Sequence, residues 1–251
     1  MLEDSKDEPN ILELREALLT WWESWKRDFP WRKETSPYKI ILAEVLLRKT
    51  SARQAQAIFP LLAERWPNPC ALGQAELNEL ENVLRPLGMH RERGRLLKAL
   101  GKELCARFGR EIHPEALSRE SLAGLPGIGR YASNMVLAVC RGEALPGLDR
   151  NFIRMIERVF GRRSRHQRPH LDSGLWEFAR TLIPPDRSRD FNWAVMDFGA
   201  LVCRPKPKCS ECPLSRFCRW RRESENQGLP APTTSGKARA ASSRRLRETC
   251  T

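Results

Sequence analysis

A chain of 251 residues that is 41% hydrophobic can bury one large core or two small ones, and a formal net charge of +13 (44 Lys+Arg against 31 Asp+Glu) points to a polyanionic partner, most simply nucleic acid. No apolar run approaches the roughly 20 residues that span a bilayer, and no charged start leads into an apolar stretch. Membrane and secreted classes are therefore not expected, and the reading is a cytoplasmic, nucleoid-associated protein. Residues 222–251 hold only six Lys+Arg and three Asp+Glu, which leaves +10 on residues 1–221.

Residues 1–10 are polar and expected to be flexible. Apolar side chains at helical spacing (Ile11, Leu14, Leu18, Leu19, Trp22, Trp25) predict a helix from Ile11 to Phe29, stopped by Pro30. A second helix is predicted over 38–50, with Ile40, Ile41, Val45 and Leu46 facing a core. Further helices are predicted near 52–66, 75–86, 91–108, 117–123, 130–141, 150–161, 171–183 and 190–202, with a short one beyond. No convincing strand or internal repeat is found, so the fold class is all-α. From Gly228 onward Pro, Ala, Thr, Ser, Gly and Arg dominate, and a disordered basic tail is expected over 222–251.

Two segments carry chemistry. Between two amphipathic helices stands Leu125-Pro126-Gly127-Ile128-Gly129. Pro126 presets one backbone angle, Gly127 and Gly129 permit a tight turn, and Ile128 would plug the gap between the helices. Such a hairpin offers backbone N–H groups at a helix start, a cradle for a nucleic-acid phosphate; a plain connector is the alternative. Further on, Cys203, Cys209, Cys212 and Cys218 read C-x5-C-x2-C-x5-C. Four thiolates so closely spaced suit an iron–sulfur cluster or a structural zinc ion. Cys70, Cys105, Cys140 and Cys250 are scattered. Cys105 and Cys140 read as buried and inert, and a helical chain of this length does not need disulfides.

Taken together, Phe29-Pro-Trp-Arg32, Ala43-Glu-Val-Leu-Leu-Arg-Lys-Thr50, Leu125-Pro-Gly-Ile-Gly129, Leu148-Asp-Arg-Asn-Phe152, Met196-Asp-Phe-Gly199 and the cysteine loop resemble, in order, the helix–hairpin–helix base-excision DNA glycosylases. That superfamily contains endonuclease III and the adenine glycosylases, and the resemblance spans roughly residues 11–221. It implies two helical lobes flanking a DNA-binding cleft. Residues 33–140 would form the lobe with the hairpin, and 11–32 with 141–221 the cluster lobe. The expected partner is double-stranded DNA bearing a mismatched or damaged base that is flipped into the cleft, and the expected state is a monomer.

Breaking an N-glycosidic bond develops positive charge on the sugar, which a carboxylate stabilises. Asp149 matches that position, although taken alone it also reads as a helix N-cap. Glu44 sits in an apolar helix where burial would raise its pKa and favour proton donation; a surface glutamate or an ion-pair partner is the alternative. Tyr131 stands where endonuclease III-type enzymes carry a lysine. Since tyrosine cannot form a Schiff base, the resemblance implies a monofunctional enzyme without strong strand-cleaving activity.

Arg48 and Lys49 would line the cleft mouth, with Leu125, Gly127, Gly129, Arg130 and Asn151 as further DNA contacts. His90, Arg91 and Arg93 would touch the opposite strand, and Lys206 and Lys208 would hold the cysteine loop against the backbone. In that loop the family spacing C-x6-C-x2-C-x5-C is shortened by one residue at its first gap, yet all four ligands of one 4Fe–4S cluster remain. Arg48-Lys49-Thr50, Tyr131 and Asp149-x-Asn151-Phe152 are similar to mismatch thymine glycosylases, which remove T or U opposite G. An adenine glycosylase without its 8-oxoguanine reader domain is the second reading. A non-catalytic lesion-binding protein is the third, and the carboxylates Glu44 and Asp149 argue against it.

Overall fold

The computed structural model describes residues 9–226. Met1–Glu8 of the expected flexible N-terminus, and the basic tail beyond 226 with Cys250, lie outside the described residues. Within them the chain is built from helices, with no strand and no helix long and apolar enough to cross a membrane.

The helices begin where the sequence supplies caps. Helix α1 (Ile11–Trp25) starts at Asn10, whose side chain accepts from the backbone N–H groups of Leu12 and Glu13. It ends four residues before the predicted Phe29 because the Arg27 N–H donates to the Asp197 carboxylate at 3.1 Å instead of continuing the helix. Helix α2 (Pro37–Leu46) turns out of helical geometry before Lys49, which adopts φ +54. Helix α3 (Ala52–Arg65) opens on a Ser51–Gln54 capping box. The segment predicted as one helix over 75–86 is preceded by a short α4 (Pro69–Gln74) capped by Asn68, and its helix is α5 (Leu77–Leu84). Then follow α6 (His90–Phe108), α7 (Arg119–Leu122), α8 (Arg130–Arg141), α9 (Arg150–Phe160), α10 (Ser173–Leu182) and α11 (Ser188–Leu201). Helix α12 (Arg219–Asn226) runs past the boundary drawn at 221, so 222–226 is helix rather than tail.

Two hydrophobic clusters organise these helices. The first gathers Trp31, Ile41, Phe59, Leu72, Leu100, Leu122 and Val136 among others, and the second Leu14, Trp22, Met155, Trp176, Phe191 and Phe198. Helix α8 contributes to both, through Val136 and Leu137 on one side and Met135 on the other. The connection from α8 to α9 is pinned by Asn192, which accepts from the Gly147 N–H at 2.7 Å and donates to the Leu145 carbonyl at 2.9 Å.

The strongest polar tie centres on Asp197 of α11, whose exposure is 0%. It accepts from Trp22 Nε1 (2.9 Å), the Arg27 backbone, Arg27 Nε (2.6 Å), Arg32 Nη1 (2.7 Å) and Arg32 Nη2 (3.0 Å). Burial pushes this carboxyl up, but Arg32 and Arg27 outweigh it and hold the group below the usual range. The tie fixes the crossing at Phe29–Arg32 against the second cluster.

One expectation about the cysteines is overturned. Cys105 is not an inert thiol: it forms a disulfide with Cys70, their Cα atoms 4.8 Å apart. The physical cause is local. Helices α4 and α6 touch backbone to backbone at Gly73 and Gly101, where a Cβ on Gly101 would lie 2.4 Å from the Gly73 nitrogen.

Candidate active site

Glu44 sits in the last turn of α2, in a helix buried on almost every side; its own exposure is 8%. One of its carboxylate oxygens, Oε2, is buried without a hydrogen-bond partner. Burial, assisted by the negative charge of Asp149, pushes its pKa from 4.5 up to about 8. At neutral pH this group therefore holds a proton and can act as an acid.

Asp149 caps α9, as its sequence position allows, by accepting from the Phe152 N–H at 2.8 Å. Its other oxygen accepts from Asn151 Nδ2 at 2.8 Å. Burial raises its pKa, while the hydrogen bonds from Phe152 and Asn151 act in the opposite sense by favouring the anion. Asn151 in turn accepts from Arg154 Nη2 at 2.7 Å, and Arg154 Nε donates to the Cys203 carbonyl at 2.6 Å. Asn151 is thus a brace for the carboxylate, and it is half-buried.

Tyr131, in the first turn of α8, completes the group. Burial first, then the charges of Glu44 and Asp149, raise its hydroxyl well above the ordinary value, and Arg32 acts against them. Its hydroxyl lies 3.9 Å from Met196 Sδ. The three residues singled out from the sequence as catalytic therefore share one electrostatic environment. Two neighbours carried no assigned role. Arg32, at the end of the Phe-Pro-Trp-Arg motif, has a buried Nε without a partner. Cys140 is a half-buried thiol that burial and Glu44 raise to about 12.

Arg48 and Lys49 are exposed, and Arg48 Nη1 donates to the Gly127 carbonyl at 3.3 Å. This bond ties the α2–α3 turn to the hairpin. Gly127 holds φ +84, a left-handed conformation that favours glycine, with Arg48 Nη1 2.9 Å from where a Cβ would stand. Gly129 caps α8, and Arg130 is exposed with its guanidinium over Trp176. Leu125 is 3% exposed and belongs to the first cluster, so its side chain is core rather than a DNA contact.

Arg93 is also reassigned. It is buried and donates to the carbonyls of Gly88 (3.1 Å) and Arg48 (3.0 Å) and to Thr50 Oγ1 (2.6 Å), bracing the two loops against each other. Between those loops Met89, with φ +50 and 53% exposed, presents an apolar tip beside the equally left-handed Lys49. Composition gave no signal for Met89; only the backbone geometry marks it.

Cys203, Cys209, Cys212 and Cys218 line one cavity together with Arg158, Val159, Phe198 and Trp220. Among the described residues no three His, Cys, Asp or Glu side chains stand close enough to hold a single metal ion. Arg158 Nη1 donates toward Cys203 Sγ at 3.4 Å and to the Arg204 carbonyl at 2.7 Å. Lys206 is exposed, and the exposed Lys208 pairs with Glu211 at 2.9 Å.

The model of the HhH-GPD superfamily base excision DNA repair protein matches residues 42–181, more than half of the chain. The protein belongs to this superfamily. It is 43% identical over 205 residues to the thymine/uracil-DNA glycosylase of Pyrobaculum aerophilum, covering 80% of this chain and 88% of that one. With the thymine-DNA glycosylase of Aeropyrum pernix the identity is 41%, over 84% of this chain and 96% of the relative. The adenine DNA glycosylase of Homo sapiens is 30% identical over 90% of this chain but 42% of its own length. Among solved structures, a thermostable thymine-DNA glycosylase superposes with a TM-score of 0.78 at 31% identity, covering 85% of this chain and 97% of that one. An endonuclease III trapped on DNA shares the fold with a TM-score of 0.71 at 22% identity, covering 86% and 99%. The expected fold class and superfamily are thus borne out.

Proposed function

We propose that this HhH-GPD protein is a monofunctional DNA glycosylase that removes thymine or uracil mispaired with guanine. The carrying observation is the coupled trio Glu44, Asp149 and Tyr131, with a tyrosine hydroxyl where a Schiff-base enzyme needs an amine. The thymine and thymine/uracil names of relatives at 41–43% identity support the choice of base.

In this mechanism DNA lies across the hairpin, with backbone N–H groups at the start of α8 and the exposed Arg130 holding phosphates. Met89 is the apolar wedge that fills the gap opened when the base turns out, with Arg48 and Lys49 beside it. Asp149, held by Asn151 and the α9 N-terminus, faces the sugar as positive charge develops there. Neutral Glu44 can donate to a carbonyl oxygen of the leaving pyrimidine or orient the attacking water. Tyr131 completes the catalytic group, a buried hydroxyl standing where a Schiff-base enzyme carries its amine.

The cysteine cavity fits a 4Fe–4S cluster better than a zinc ion. All four cysteines line it, yet among the described residues no three are grouped as a single ion would require. When bound, such a cluster supplies a rigid anchor for the loop. Cys203, Cys209, Cys212 and Cys218 would hold it, with Arg158 donating to the Cys203 sulfur. Metal analysis tests this: about four irons per chain are expected, and one zinc would contradict it.

A specific observation favours a second reading, removal of adenine. A glutamic acid that keeps its proton to about pH 8 is suited to protonating a departing purine. Base release from T:G, U:G, A:G and A:8-oxoguanine duplexes separates the two readings.

A further inference from the structure

We propose that Cys70 and Cys105 form a reversible redox modification site. This staple sets the heat resistance of the first lobe and leaves base release unchanged.

Two glycines set the geometry. Gly73 on α4 and Gly101 on α6 meet so closely that a Cβ on Gly73 would stand 2.8 Å from the Lys102 nitrogen, and one on Gly101 even nearer the Gly73 backbone. Side chains three and four residues apart share a helix face. Cys70 lies three residues before Gly73, and Cys105 four residues after Gly101. The glycine contact therefore sets the two sulfurs opposite each other whether or not they are bonded. Reduction leaves the thiols in place to re-form the bond.

Both cysteines are half-buried, so a small thiol or disulfide can reach them. Oxidation by a small-molecule disulfide such as oxidised glutathione balances directly. One protein thiolate attacks a sulfur of the oxidant and releases one thiol. The second thiolate then attacks the mixed disulfide and releases the other. Two electrons and two protons leave the protein pair, and one disulfide is reduced to two thiols.

The bond joins residues 35 apart in sequence, with all of α5 and the Gly88–Met89 turn between them. A closure of that length restricts the unfolded chain strongly. The end of α6 that carries Cys105 is remote from the end that presents Met89. Fifteen residues of helix separate Cys105 from His90, about 22 Å at 1.5 Å per residue. Arg93 braces the Met89 end independently through Gly88, Arg48 and Thr50. The staple thus acts on unfolding and not on the cleft. The four cysteines of the cluster loop belong with the other lobe, against α9 and α11.

The test compares thermal melting of the whole protein with and without a phosphine reductant, alongside a C70A/C105A variant. Iodoacetamide labelling under denaturing conditions reports which cysteines are paired, and iron content is followed throughout. Reduction is expected to lower Tm by about 5–10 °C at unchanged iron content. The variant should match the reduced protein and show no further response. Oxidised glutathione should restore both the original Tm and the protection of Cys70 and Cys105. Equal melting with and without reductant, or labelling of both cysteines before reduction, would overturn the proposal. If the variant does not fold, the melting of the wild-type protein decides. Melting does not depend on which base the enzyme removes, so failure here is distinguishable from failure of the glycosylase reading.

Discussion

Asp149 caps α9 and, in the proposed mechanism, also supplies the catalytic anion; one substitution separates the two. As an N-cap it needs only an acceptor oxygen, which asparagine supplies as well as aspartate. As the stabiliser of a developing cation it needs negative charge. D149N is therefore expected to fold and bind duplex DNA while losing roughly 10²- to 10³-fold in single-turnover base release. Full activity in this variant would refute the assignment. Glu44 gives a sharper test because its shift has a sign. Its carboxyl titrates at about 8 in the fold against an ordinary 4.5, so between those values the folded chain keeps a proton that the unfolded chain has lost. Stability must then fall as pH rises from about 4.5 through 8. E44Q removes that penalty, and urea unfolding at pH 8 should show a gain of roughly 1–3 kcal/mol together with impaired catalysis. A loss of stability would contradict the burial argument. Glu44 drew notice from its place in an apolar helix, whereas Asp149 by itself read as an N-cap and gained a second role only through the resemblance. Arg32 and Cys140 were not legible in the sequence, because their placement beside Tyr131 and Glu44 is created by chain crossings that no local pattern encodes.

At the scale of elements, the hairpin and the turn after α2 act as one unit, joined by Arg48 to Gly127 and by Arg93 to Arg48 and Thr50. G127A places a Cβ against the Arg48 guanidinium and forces alanine into positive φ. The expected result is a stability loss of about 1–3 kcal/mol and weaker duplex binding. Single-turnover release at saturating enzyme should change little, which gel shift and quench experiments can compare. Helix positions followed well from apolar spacing, and α8 from Arg130 to Arg141 lies where the pattern puts it. The misses have physical causes. Helix α1 stops at Trp25 because a carboxylate some 170 residues away in sequence captures the Arg27 N–H. Arg93 looks like a surface cation in sequence, yet three loop acceptors converge on its guanidinium and draw it inside. Leu125 reads as part of a DNA-facing motif, while only the backbone around it is available to a phosphate.

For the whole molecule, Asp197 is the polar centre of the junction between the two clusters, collecting five hydrogen bonds from Trp22, Arg27 and Arg32. Its depressed pKa means that its stabilising effect is present above the ordinary carboxylate range and is lost as pH falls through the folded value. D197N leaves two guanidinium groups facing a neutral partner, and a loss of about 3–5 kcal/mol in urea unfolding at pH 7 is expected. An unchanged midpoint would show that the junction is held by apolar packing alone. The expectation of two lobes came only through resemblance, since composition does not tell one core from two. It gave no hint of the Cys70–Cys105 bond, which depends on a glycine contact between helices remote in sequence. The central claim, a monofunctional glycosylase for mispaired pyrimidines, is tested most directly by base release on labelled T:G, U:G, A:G and A:8-oxoguanine duplexes, each assayed with and without alkali. Cleavage of the T:G and U:G strands only after alkali is the expected result; cleavage without alkali, or release confined to the adenine duplexes, would contradict it.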